Sequence, residues 1–185
     1  MSQSSPQRTV RLALMLFVLA GSLAAQLPLA GRLPALKGEF LTGRDAILPD
    51  AASGRVALLA LGFSYDSRFA VEAWVKQFRA DFGQEQQVTF YEVPMIGGMA
   101  MMGKWFIDGG MRRGTPKADH EHVVTVYGGT GAWKERVGYK AADDAYLILL
   151  DKDGLVRWTH SGKFDATAYR GLSEATKRLL SKSAE

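Results

Sequence analysis

Residues 145–162, AYLILLDKDGLVRWTHSG, leave the chain little freedom in local structure. Residues 146–150 are an unbroken apolar run of strand length, and Asp151-Lys152-Asp153-Gly154 is turn chemistry, with Gly154 able to take a positive φ without steric cost. Residues 155–159 then alternate, with Leu155, Arg157 and Thr159 on one side and Val156 and Trp158 on the other. The stretch is predicted to be a β-hairpin whose first strand is buried on both faces and whose return strand is half exposed.

The other elements follow from periodicity. Residues 56–62, VALLALG, form a second continuous apolar run of buried-strand length. In 68–82, Phe69, Ala73, Trp74, Phe78 and Phe82 recur at helical spacing, with Asp66 or Ser67 as cap and Gly83 as terminator. Residues 87–93 alternate as a strand, parallel to the first if the helix is a crossover. A turn at 94–98, a helix at 99–111 bearing Met102, Trp105, Phe106 and Ile107, a loop with Arg112 and Arg113, and a strand at 122–127 come next. Residues 128–131 read as a turn, 133–139 as a short helix or extended segment, and 165–181 as a closing amphipathic helix capped by Asp165 or Thr167. The order β-α-β-α-β-β-β-α predicts an α/β fold, a mixed sheet flanked by helices, most economically a thioredoxin-like domain over 54–182.

Residues 1–30 are read as a signal peptide or membrane anchor, because Arg8 and Arg11 precede an apolar run that ends near small residues. Export to the periplasm, or tethering to an inner membrane, is the expectation, with a mitochondrial presequence as the rival. Residues 31–53, punctuated by Pro and Gly, are expected to be a linker or peripheral segment. The net charge of +4 comes without a dense basic patch, so nucleic acid is not expected as a partner. The 185 residues contain no cysteine, which excludes disulfides, thiolate nucleophiles and Cys-based metal sites.

That last fact bears on the loop after the first buried strand, where redox-active thioredoxin folds carry Cys-x-x-Cys. Here the loop reads Ser64-Tyr65-Asp66-Ser67, two serines at the same spacing without the chemistry. No Gly-x-Ser-x-Gly surrounds either serine, and His120, His122 and His160 are remote in sequence. Ser64, Asp66 and Ser67 are therefore read as capping residues. The position of the cis-proline in redox-active domains is held by Asp144-Ala145. No catalytic residue and no cofactor are assigned.

The residues Leu149-Leu150-Asp151, Gly154, Arg157-Trp158 and Ser161-Gly162 resemble the C-terminal signature of the mitochondrial ATP synthase assembly-factor family. Trp74 with Phe78, and Arg112-Arg113 with Pro116, support the likeness, which spans about 56–180. The resemblance implies a cysteine-free thioredoxin-like chaperone that helps a membrane subunit of ATP synthase to assemble. Arg157, Arg112, Arg113, Met99 and Met102 are the candidate contacts with such a client, and Ser64 and Ser67 mark the degenerate redox loop.

Other constellations admit other readings. Met95, Met99, Met101 and Met102 offer thioethers to Cu(I), a core filling or a pliable apolar surface. Asp119-His120-Glu121-His122 has metal-ligating residue types but names no third or fourth ligand, and no metal site is assigned. An enzyme of peroxiredoxin-like or metal-dependent kind is the alternative function, and it predicts a polar pocket with a titratable base near 64–67. A Met-based copper carrier is a further alternative.

Overall fold

The computed structural model describes residues 27–181, the side chains of 99–101 excepted. The strands are β1 (Leu36–Phe40), β2 (Asp45–Leu48), β3 (Val56–Gly62), β4 (Val88–Ile96), β5 (Val124–Tyr127), β6 (Ala145–Leu150) and β7 (Val156–Gly162). The helices are α1 (Ser67–Phe82), α2 (Lys104–Gly114), α3 (Thr130–Arg136) and α4 (Ala166–Ser181). The strands form one sheet in the order β2-β1-β5-β4-β3-β6-β7.

β3 sits near the middle because every one of its side chains is apolar or absent, so it can be covered on both faces. It pairs in parallel with β4 through the crossover α1, and antiparallel with β6. Alternation then sorts the core. Leu58, Ala60, Phe90, Leu147 and Leu149 pack under α1 and α4, whereas Leu59, Leu61, Tyr91, Val93, Tyr146 and Ile148 pack on the other face with Trp133 of α3.

Several elements depart from the sequence expectation. Residues 31–53 are more than a linker: β1 and β2 make a hairpin, β1 pairs with β5, and Leu33, Leu36, Phe40, Leu41, Leu48 and Ala52 are buried. β4 runs through Pro94 to Ile96, and α2 begins at Lys104 after a 3₁₀ turn over Gly98–Gly103. Of the two readings of 133–139 the helix holds, but α3 starts earlier, at Thr130 inside the expected turn, with Gly129 at φ 64° immediately before it, and ends at Arg136. The greater part of the expected leader lies outside the described residues. Among the described residues no helix is long and apolar enough to cross a membrane.

The hairpin holds a further correction. Leu149 pairs with Trp158 but Leu150 pairs with Val156, so β7 carries a bulge at Arg157. Val156 and Trp158, expected on one side, consequently join opposite core faces. The turn is tightened by Asp151, whose Oδ1 accepts the N–H groups of Asp153 and Leu155 at 3.0 and 2.9 Å. Gly154 lies at φ 76°, and a Cβ there would stand 2.8 Å from Pro49 Cγ. Gly154→Ala should therefore cost at least about 1–2 kcal/mol, seen as a melting temperature lowered by roughly 2–8 °C. An unchanged melting temperature would show that the turn relaxes freely.

Candidate functional site

Strand directions gather the informative loops at one end of the sheet. The C-terminal ends of β3, β4 and β5 meet there with the start of β6 and the end of β7, since Gly62 pairs with Ala145 and Ala145 with Gly162. Open α/β sheets bind ligands at this end.

The Ser64–Ser67 loop is closed on itself. Ser67 Oγ donates to the Ser64 carbonyl at 2.7 Å and accepts the Ser64 N–H at 3.2 Å. Ser64 Oγ accepts the Ser67 N–H at 2.9 Å and donates to Asp143 Oδ1 at 2.7 Å. Ser67 is buried, and Gly62 leaves it room, because a Cβ on Gly62 would come within 2.4 Å of Ser67 Oγ. The two hydroxyls thus satisfy one another's backbone, and no imidazole is bonded to either. Two hollows, one lined by Arg55, Arg79, Phe82 and His122 and the other by Asp151, Arg157 and Arg178, lie at the opposite end of the sheet.

Below the loop stands an aromatic cluster around Trp74. Its ring meets those of Trp158, His160, Phe164 and Tyr169, and Nε1–H donates to the Gly162 carbonyl at 3.1 Å. Burial pushes the His160 imidazole below its ordinary value against the opposing pull of Asp165 and Asp144. Burial also raises the Tyr169 hydroxyl, which donates to Asp81 at 2.6 Å. Tyr65 and Phe69 stand exposed at the mouth of α1, with the Arg68 guanidinium 3.9 and 4.5 Å from their ring centres.

α2 is turned inside out. Its buried side chain is an acid, Asp108, while Trp105 and Phe106 are 76% and 73% exposed and Met102, just before the helix, is 91% exposed. The inner stripe is a polar network. Lys104 Nζ reaches Asp108 at 2.6 Å and Glu39 at 3.1 Å, and Tyr127 donates to Asp108 at 2.6 Å. Arg112 donates to the Leu41 carbonyl at 2.7 Å and faces Glu39 at 3.6 Å. Burial, then the bond to Asp108, raises the Tyr127 hydroxyl. For Lys104, burial works toward a lower value, but its bonds to Asp108 and Glu39 prevail and raise it.

The sequence candidates are thus divided between places. Arg112 is held in the inner network, Arg113 and Met102 are on the exposed side, and the Met99 side chain lies outside the described residues. Met95 is buried in the core. Arg157 is bound to Asp151 at 2.6 Å, at the far end of the sheet from Ser64. The two histidines of Asp119-His120-Glu121-His122 diverge, His120 to the Thr115 carbonyl and His122 to the Phe90 carbonyl, each at 3.0 Å. Among the described residues no group of three His, Cys, Asp or Glu is placed to hold a metal.

Sequence reasoning missed the exposure of Trp105 and Phe106 and the partners of Asp108. The spacing of Lys104, Asp108 and Arg112, four apart, was the available signal for a polar inner stripe.

No family model matches the sequence, and no curated protein matches it. Its folded shape is similar to several solved structures. One, described as a thiol:disulfide interchange protein DsbE from Chlorobium tepidum, is 18% identical with a TM-score of 0.58, over 84% of this chain and 99% of that one. An exposed lipoprotein thioredoxin from Streptococcus pneumoniae is 16% identical with a TM-score of 0.52, over 78% and 99%. A thiol peroxidase from Chromobacterium violaceum is 12% identical with a TM-score of 0.53, over 87% and 91%. With a central mixed sheet, helices on both faces and serines in the loop that opens α1, the chain has a thioredoxin-like α/β fold without a cysteine.

Proposed function

We propose that this protein acts by binding, as a non-redox assembly or chaperone factor for a membrane complex, exported or tethered to the membrane by its N-terminal segment. The observation that carries this reading is the exposed apolar surface of Trp105 and Phe106 on a helix whose buried side is polar, with exposed Met102 just before it. A soluble domain without a partner has little use for such an arrangement, and contiguous exposed apolar residues of this kind mark interaction sites. The closed Ser64–Ser67 loop supports it from the other side, since both hydroxyls are engaged in backbone or carboxylate bonds. ATP synthase, through a membrane subunit, is the client that the sequence resemblance implies.

The test is a crosslinking pull-down from native membranes with a C-terminal tag and identification of the captured proteins. ATP synthase membrane subunits should be recovered, and Trp105→Ala with Phe106→Ala should reduce recovery at least about tenfold. Arg157→Ala, remote from α2, should leave it nearly unchanged. If the captured set contains no membrane protein, the assembly reading fails; if it contains a different complex, only the client is replaced.

A further inference from the structure

Three of the helices are fixed to the sheet by core side chains: Trp74 and Phe78 from α1, Trp133 from α3, and Tyr169 and Leu172 from α4. α2 sends none. Asp108 is its one buried side chain, and the half-buried Ile107 and Met111 pack against neither core. Among the described residues, the side-chain bonds from α2 to the sheet are all polar. Lys104 and Arg112 reach Glu39 of β1 at 3.1 and 3.6 Å, Arg112 donates to the Leu41 carbonyl, and Tyr127 of β5 donates to Asp108. The Lys104, Arg112 and Glu39 side chains are 42%, 41% and 29% exposed, so water and salt reach this cluster and its ion pairs stabilise little.

Both ends of this segment can bend. Gly98 takes φ 61°, and a Cβ at Gly98 or at Gly114 would meet nothing within 4 Å. Just outside each glycine the chain is held. Gly97 lies so close to α3 that a Cβ there would stand 2.6 Å from Thr130 Oγ1, and the Thr115 carbonyl accepts a bond from His120 at 3.0 Å. A helix thus lies between two free joints, each beside an anchored point, which is how hinged segments are built. Lifting it would uncover Glu39 and Tyr127. The two apolar cores would stay closed, because no α2 side chain belongs to either. Opening without exposure of core surface is the kind that proteins make well below the free energy of global unfolding.

We infer that α2 is a hinged strap, which lifts from β1 and β5 as a unit about Gly98 and Gly114 while the rest of the domain stays folded. Its charged clasp, Glu39 with Lys104 and Arg112, makes the opening sensitive to ionic strength. Trp105 and Phe106 ride on the strap, so whatever engages them engages a movable element. The inference rests on how α2 is attached and stands independently of the binding reading.

Amide hydrogen exchange of the full chain, read by mass spectrometry on peptides covering α1, α2 and α4, tests it. The α2 amides should exchange at least about a hundredfold faster than those of α1 and α4, with a much weaker dependence on denaturant. Raising the salt from about 0.05 to about 1 M should speed α2 at least about threefold and leave α1 and α4 unchanged. Tyr127→Phe keeps the ring but removes the donor to Asp108, and should speed α2 about tenfold. The salt series on the unaltered chain keeps the test decisive if that variant loosens the whole domain. Exchange of α2 at the rate of α1 would show that it opens only with global unfolding, and would overturn the inference. So would loss of protection spreading into β1 and β5, or an α2 rate unmoved by salt.

Discussion

Trp74→Ala is expected to lower stability by about 3–5 kcal/mol, the range for removing a large buried aromatic side chain. The indole is fully buried and touches four other rings from β7, α4 and the segment between them. Its truncation opens a cavity between α1 and α4 and also leaves the Gly162 carbonyl without its donor. Denaturant unfolding followed at several wavelengths would measure this. Trp74→Phe keeps most of the volume and loses the hydrogen bond, so it should cost about 1–2 kcal/mol. If the two variants were equally destabilised, the hydrogen bond rather than the packing would be the dominant contribution.

Glu92 gives the second large effect, and it depends on pH. It lies on β4 toward α1, its N–H donating to the His122 carbonyl at 2.8 Å. Burial, then Glu72 and Asp119, push its carboxyl up to about 7, with Arg79 opposing. A folded-state value above the unfolded one means that the native state holds a proton the unfolded chain releases. Stability therefore falls as pH rises from about 4.5 to about 7 and stays at the lower level above that. Glu92→Gln removes the penalty, and should raise stability at pH 8 by about 1–3 kcal/mol with little change near pH 4.5. Unfolding midpoints across this window would check it. A parallel shift at all pH values would show that Glu92 does not titrate there.

The elements legible in the sequence are those whose burial leaves a strong pattern. β3 and β6 are continuous apolar runs, and α1 and α4 each show one apolar stripe, so their existence and type were readable. β1 and β2 were not, because strands of five and four residues at the sheet edge carry too few alternations to stand out from loop. The start of α3 was hidden by Gly128 and Gly129, which signal a turn whether or not a helix follows, and only its second half fell in the stretch read as a short helix or extended segment. At the candidate site the serine loop was readable as a local hydrogen-bonded turn, but the hydroxyl at the helix start is that of Ser64, which accepts the Ser67 N–H, whereas Asp66, expected as a cap, makes no side-chain bond there. The orientation of α2 was not. A helix with polar residues on one side and aromatic ones on another faces inward on whichever side finds partners, and those partners, Glu39 and Tyr127, come from distant strands.

The bulge at Arg157 is where β7 can change length without changing its faces. Deleting Arg157 would make Val156 and Trp158 neighbours, which plain alternation sends to opposite layers, so they would stay across from Leu150 and Leu149. Deleting Thr159 instead would turn His160 over and away from Trp74. Natural length variation within this strand should accordingly fall at the bulge and nowhere else in it.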